Sequence, residues 1–106
     1  MSKSKPQLGE MLRELRESQE LPLRSVASAA EMDQAHLSKI ELGQRLPTQA
    51  QAKALAKFFK IDPNELEALR IVEKFRSDYA GNPAAEQAIN ILREEMATYS
   101  AKKRTT

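Results

Sequence analysis

The chain has 106 residues, the length of a single domain, and its 17 basic and 15 acidic side chains leave a formal net charge of +2. The absence of cysteine excludes disulfides and thiolate metal sites, and with no long apolar run or signal peptide we expect no membrane contact and a cytoplasmic location. Basic residues cluster near both termini, so residues 6–101 carry more acidic than basic side chains, and any contact with nucleic acid must come from a local basic surface.

The first predicted element is an amphipathic helix over residues 8–18. Its apolar residues follow the i, i+3, i+4, i+7 spacing that places side chains on one helical face, whereas the remaining positions are mostly charged. We therefore expect this helix to lie at the surface of a bundle with its apolar face inward. The apolar residues are Leu8, Met11, Leu12 and Leu15.

The central stretch, residues 21–48, is predicted to form two short helices joined by a tight turn. On the first of them, Val26 and Ala30 share one helical face. On the second, Leu37 and Ile40 recur three positions apart. The two helices can therefore bury these faces against each other.

The second helix of this pair has clear start and stop signals. The Asp33 carboxylate can accept hydrogen bonds from the free amides of the first turn, Gly43 can adopt the left-handed conformation that ends a helix, and Pro47 prevents its continuation. With Leu37 and Ile40 turned inward, the outer face carries amide, hydroxyl and ammonium groups that are able to contact base edges in a DNA major groove. That face consists of Gln34, Ala35, Ser38 and Lys39.

Three further helices are predicted after the central stretch. Thr48 and Gln51 have the spacing of a capping box, which would start a fourth helix, and Asp62 followed by Pro63 is typical of the start of a fifth. Asn82, which precedes a proline, starts a sixth. Because the chain has no strand pattern, we predict an all-α fold, a five-helix bundle with an additional C-terminal helix.

The last two helices each carry an apolar edge. On the fifth helix this edge consists of Leu66, Leu69, Val72, Phe75 and Tyr79. The edge of the sixth is spaced alternately four and three residues apart, and consists of Ala85, Ile89, Leu92, Met96 and Tyr99. The second edge is too short for a stable isolated coiled coil, but it can pack on the fifth helix or on a second copy of the chain.

Residues of the central stretch also match a specific sequence pattern. The pattern is an apolar residue followed by alanine, a turn with an apolar residue, a helix cap, and then I-S-x-I-E-x-G-x-R-x-P. On these residues, over positions 7–70, the chain resembles the lambda-repressor-like (Cro/repressor-type, xenobiotic-response-element) family of helix-turn-helix regulators from bacteria and phages. The matching residues are Val26, Ala27, Met32, Asp33, Leu37, Ser38, Ile40, Glu41, Gly43, Arg45 and Pro47.

Two positions depart from the family pattern. Where the family often has serine or threonine followed by a glutamine that braces phosphate or a base, this chain has Pro22 and Leu23. Where the turn usually has glycine, this chain has Glu31, which must accept a positive φ at a cost of about 1 kcal/mol or use a different turn.

The resemblance implies a role for several side chains. It places Gln34, Ala35 and Lys39 at the bases. We add His36 to the base contacts, although at the edge of the groove it could instead reach a phosphate or lie exposed. Phosphate contacts are expected from Ser38, Gln44, Arg45 and Thr48, and from Arg24, which could equally pair with a neighbouring acidic residue. The resemblance further implies a partly buried structural ion pair between Arg16 and Glu41, since a buried carboxylate needs a partner.

The resemblance also implies a function and a domain organisation. The expected function is a sequence-specific transcriptional regulator, a repressor that binds inverted-repeat double-stranded operators as a homodimer. It would be a phage-type repressor, a restriction-modification controller or an autoregulating antitoxin. Residues 1–77 would form the DNA-binding domain, residues 78–100 a helix for dimerisation or core capping, and residues 101–106 a disordered basic tail. The expected dimer contacts are Ile89, Leu92, Met96 and Tyr99.

Two other classes of function are a protein-interaction module and an enzyme. The alternative is a protein-interaction module, such as an antitoxin, that binds a toxin or a component of a modification system; Leu23 and the acidic body favour it slightly. An enzyme is not expected, because the sequence has no glycine-rich phosphate loop, no cluster of metal ligands and no nucleophile paired with a base. We expect no cofactor and no metal.

Overall fold

A computed structural model describes the backbone of residues 7–105 and the side chains of residues 7–99. That part of the chain is all-helical, as predicted. Its six helices are α1 (Leu8–Ser18), α2 (Leu23–Ala29), α3 (Gln34–Glu41), α4 (Gln49–Phe59), α5 (Pro63–Tyr79) and α6 (Ala85–Thr105). The chain divides into two compact units, a first that ends at Phe75 and a second that begins at Arg76.

The core of the first unit is built from one face of each of its helices. The apolar faces predicted for the first three helices are turned inward, α4 also buries one face, and helix α5 contributes one buried residue near its start. The apolar face of α3 packs on this core, and the opposite face of α3 is exposed to solvent. The buried apolar residues are Leu8, Leu12, Val26, Ala27, Ala30, Leu37, Ile40, Ala52, Leu55, Ala56, Phe59 and Leu66.

Side chains cap the helices where the sequence indicates. The carboxylate of Asp33 accepts a hydrogen bond from the backbone N–H of His36 at 2.8 Å, which starts α3. At the start of α4, the hydroxyl of Thr48 accepts from the N–H of Gln51 at 3.0 Å, and the Gln51 side chain accepts from the N–H of Thr48 at 2.9 Å. The predicted capping box is therefore present.

Helices α1 to α4 each end with a residue in the left-handed region of backbone space. At the end of α2, the N–H of Met32 donates to the carbonyl of Ala27 at 3.0 Å and the N–H of Glu31 donates to Ser28 at 3.1 Å, which is the Schellman arrangement. The left-handed residues are Glu20 (φ 54°), Glu31 (φ 54°), Gly43 (φ 79°) and Lys60 (φ 58°). Glu31 thus accepts the positive φ that its position requires.

Gly9 allows α1 to approach the end of α3 very closely. A Cβ atom at this position would lie 2.8 Å from the carbonyl oxygen of Glu41 and still closer to that of Ile40. Any side chain at this position would therefore collide with backbone rather than with a flexible group. The glycine fixes the distance between the first and third helices.

Helix α5 is tied to the first unit at two points. Leu66 is fully buried, and the carboxylate of Glu73 accepts a hydrogen bond from the backbone N–H of Leu8 at 2.5 Å, one of the free amides at the start of α1. Farther along the predicted apolar edge burial is incomplete, because Val72 is 49% exposed while Phe75 is half-buried. Ile71, on the neighbouring face of α5, is also exposed.

The second unit contains α6, which follows a turn at Gly81 (φ 80°). The side chain of Asn82 accepts a hydrogen bond from the N–H of Ala84 at 2.9 Å, in keeping with its predicted role at the start of this helix. The helix continues to Thr105 and so includes residues 101–105, which were expected to belong to a disordered tail; residue 106 lies outside the described part. No helix among the described residues is long and apolar enough to cross a bilayer.

Candidate nucleic-acid interface

Helix α3 presents a polar face to solvent. Leu37 is 0% and Ile40 is 1% exposed, so these two side chains fasten the helix to the core. On the opposite side Gln34, Ala35 and Lys39 are exposed, and Ser38 is half-buried between the two faces. The outward orientation predicted for α3 is therefore present. Its exposed amide, methyl and ammonium groups are the kinds of group that contact base edges.

The residues assigned to phosphate contacts flank this face. Arg24 lies exposed on α2, whereas Gln44 and Arg45 lie exposed in the loop that follows α3. Thr48 is also exposed, although its hydroxyl oxygen already accepts the capping hydrogen bond of α4. The hydroxyl proton of Thr48 can still be donated to an anion.

The turn between α2 and α3 borders an open depression on the same side of the molecule. Arg24 and Gln34 line this depression, and so do Glu31 and Asp33. The negative charges of these two carboxylates lower the positive electrostatic potential of the surface, in keeping with the small net charge of the chain. Positive charge at this interface thus depends on a few individual side chains.

His36 occupies a different place from the other residues assigned to the bases. Its ring is half-buried, and Nδ1 lies 3.4 Å from Nη1 of Arg45. Nε2 is enclosed and has no hydrogen-bond partner among residues 7–99. The ring therefore has Arg45 as its polar neighbour. Contact of His36 with a base remains a prediction.

An ion pair supports α3 from the side of α1. Arg16 donates from Nε to Glu41 at 2.8 Å and from Nη2 to the other carboxylate oxygen at 3.0 Å, and its Nη1 donates to the carbonyl of Leu21 at 3.0 Å. The side chains of Arg16 and Glu41 are 15% and 6% exposed. The hydrogen bond to Glu41 raises the pKa of Arg16, while burial acts in the opposite direction. The expected pair is present and fixes the end of α3 to α1.

Two contacts at this interface are not predicted from the sequence. They are the close approach of α1 to α3 at Gly9 and the contact between His36 and Arg45. A glycine inside an amphipathic helical pattern was a usable signal for the first, since glycine costs helix stability unless the backbone needs it. Nothing in the spacing of His36 and Arg45 indicates the second.

Among the described residues there is no group of three side chains able to hold a metal ion.

Comparison with known proteins matches the chain to a protein family and to a solved structure of a regulator. A family model described as a helix-turn-helix domain matches residues 7–69. The crystal structure of the restriction-modification controller protein C.AhdI from Aeromonas hydrophila matches with 32% sequence identity and a TM-score of 0.51, over 56% of this chain and 86% of that chain. No curated protein matches the chain.

Proposed function

The chain belongs to the helix-turn-helix domain family and is a DNA-binding transcriptional regulator of the lambda-repressor-like type, and we propose that it represses a promoter by binding an inverted-repeat operator as a homodimer. The observation that carries the proposal is the orientation of α3, whose apolar side is buried while its polar side faces solvent. Repression then follows from occupancy of the promoter and requires no cofactor.

We assign base recognition to the exposed side chains of α3. The amide of Gln34 can bond adenine through two atoms, the ammonium of Lys39 can donate to guanine, and the methyl group of Ala35 can contact thymine. The assignment of His36 to the bases has less geometric support, because its Nε2 is enclosed.

Phosphate contacts fix the register of α3 in the groove. Arg45 is the strongest of them, because its exposed guanidinium can bind a phosphate through two N–H groups. The weaker assignments are Arg24, Ser38, Gln44 and Thr48.

The homodimer rests on the apolar face of α6. A single α3 reads too few base pairs to select a site in a genome, so a second copy is needed. Leu92 is 50% exposed and Met96 is 67% exposed, and Ile89 and Tyr99 on the same edge are exposed to similar degrees. Contact of these apolar side chains with water is unfavourable, so their burial in an interface would stabilise a dimer. We propose that α6 pairs with α6 of a second chain.

Of the three kinds of regulator considered, we favour a controller of a restriction-modification operon. C.AhdI carries that description, and the likeness to it extends over most of its length. A restriction or modification gene adjacent to the gene for this chain would support the assignment, whereas an adjacent toxin gene would favour the antitoxin.

Selection of bound sequences from a random pool of duplex DNA tests binding, specificity and symmetry in one experiment. We expect an enriched inverted repeat with half-sites about one helical turn apart. Gel shifts of the enriched duplex at several salt concentrations should give an affinity that falls steeply with salt. Absence of an enriched sequence, together with no binding of random duplex DNA at low salt, would contradict DNA regulation and favour the protein-interaction module.

The dimer has its own test with a matched control. Leu92→Glu combined with Met96→Glu should give a monomer in sedimentation experiments, because charges replace apolar groups in the interface. Ile91→Glu is the control, since Ile91 is 53% exposed but lies about 100° around α6 from Leu92. A dimer that survives the double substitution would refute this interface.

A further inference from the structure

We infer that His36 is a positioning residue: its ring holds the guanidinium of Arg45 in the direction of a DNA phosphate. The inference rests on the proposed function, because it assigns His36 a task in DNA binding through Arg45. Its basis is the position of the ring: Nδ1 lies 3.4 Å from Nη1 of Arg45, and Nε2 is enclosed with no partner in the part of the chain whose side chains are described.

The chemistry of the contact selects one form of the ring. All N–H groups of a guanidinium are donors, so the contact is attractive only when Nδ1 of His36 offers a lone pair. The neutral ring with its proton on Nε2 meets this condition. A doubly protonated ring has no lone pair to offer and would place a second cation beside Arg45.

The enclosed Nε2 indicates that the histidine is not there for packing alone. A polar atom that is buried without a partner destabilises a folded protein, and such atoms in native structures call for an explanation. A leucine could fill the same space between helix and loop without this cost. The role of Nδ1 toward Arg45 provides a reason for retaining a histidine.

Arg45 needs such an orienting contact. It lies in the loop after α3, where the N–H of Gln44 donates to the carbonyl of Lys39 at 2.9 Å and fixes the backbone but not the arginine side chain. Within residues 7–99 no carboxylate forms a salt bridge with Arg45. No described carboxylate therefore neutralises its charge, and the ring of His36 restricts the long side chain before DNA arrives. Restricting a side chain in its bound geometry lowers the entropy cost of binding.

The main test measures affinity and stability together, using the duplex enriched in the selection experiment. His36→Leu should weaken binding about fivefold, the value of one lost hydrogen bond, while the melting temperature stays the same or rises because the buried polar atom is gone. His36→Asn should retain most of the affinity, since its side-chain oxygen can replace Nδ1 as acceptor. A His36→Leu protein that is as stable as the original and binds DNA equally well would overturn the inference.

A double-mutant cycle separates positioning from a direct contact of the histidine with DNA. In a protein that already carries Arg45→Ala, His36→Leu should have no further effect on affinity. Arg24→Ala provides the matched background, in which the effect of His36→Leu should persist in full. If His36→Leu weakens binding equally in both backgrounds, the inference is overturned but DNA binding stands. If the unaltered protein binds no specific duplex, the proposed function itself is refuted.

A third measurement is made on the free protein and needs no DNA. His36 is the one histidine of the chain, so long-range proton–nitrogen NMR spectra of its ring are unambiguous. We expect the proton on Nε2, with a change in the Nδ1 resonance on Arg45→Ala. A neutral ring protonated on Nδ1 could not accept from Arg45 and would overturn the inference.

Discussion

The two compact units of this chain use apolar side chains in opposite ways. In the first unit they meet in a core, where Leu37, Leu55 and Leu66 are fully enclosed. In the second unit none of the described side chains of α6 is buried, although the helix carries isoleucine, leucine and methionine. The difference teaches that the first unit can be explained by its own contacts, whereas the apolar surface of the second would be covered only by the pairing of α6 proposed above.

Removal of residues 76–106 tests this contrast most strongly. We expect the remaining first unit to keep its helical circular dichroism and its cooperative unfolding, because its core is retained. Affinity for the enriched duplex should fall roughly 100-fold or more, since two linked half-site contacts become one. A truncated chain that is unfolded would show that the first unit is not self-sufficient.

A substitution inside the first unit should act on folding instead. Gly9→Ala places a Cβ atom against the carbonyl oxygens of Ile40 and Glu41, and we expect a loss of about 3 kcal/mol in the free energy of unfolding. Urea denaturation measures this loss. Glu14→Ala, at an exposed position of the same helix, is the control and should change stability little. An unaffected Gly9→Ala protein would mean that α1 lies farther from α3.

Two arginines on α1 form ion pairs that differ in burial, so their substitution shows how burial changes the contribution of an ion pair to stability. Arg16→Ala leaves the enclosed carboxylate of Glu41 without its partner and should cost about 2 kcal/mol. Arg13 pairs with Glu17 at 3.0 Å, but both side chains are 54% exposed, so Arg13→Ala should cost about 0.3 kcal/mol. Similar losses in the two variants, measured by chemical denaturation, would argue against the supporting role of the Arg16 pair.

Substitutions at the left-handed residues that end the helices should change stability by about 1 kcal/mol or less. The second unit has glycine at its residue of positive φ, Gly81, whereas the first unit has a glutamate at position 31. Glu31→Gly should raise stability by about 0.5 kcal/mol, because relief of the left-handed conformation exceeds the entropy cost of glycine. Gly43→Ala is the reciprocal change and should lower stability by about 1 kcal/mol. Thermal melts that show the opposite signs would contradict the backbone argument.

The sequence predicts what local patterns determine. Asp33 and Thr48 mark helix starts because a cap acts on amides only two or three residues away, and Leu37 and Ile40 identify the inner face of α3 because helical periodicity fixes it. The all-α class and the helix-turn-helix family are therefore readable from the residues, and both are confirmed.

What the sequence does not give are contacts between distant positions. Periodicity identifies an apolar edge on α5 without identifying what covers it, and Val72 on that edge is exposed. The same limit applies to Glu73, which bonds an amide at the start of α1, and to His36 and Arg45. Spacing along one helix carries no information on which side chains a following loop brings near it.

The division into two units has a practical consequence for optical measurements. The chain has no tryptophan, and both of its tyrosines, Tyr79 and Tyr99, belong to the second unit. Intrinsic tyrosine fluorescence therefore reports on the second unit alone, while the first unit contributes none. Dilution of the unlabelled protein should alter this emission if α6 separates from a partner, and the signal would not be confounded by unfolding around α3.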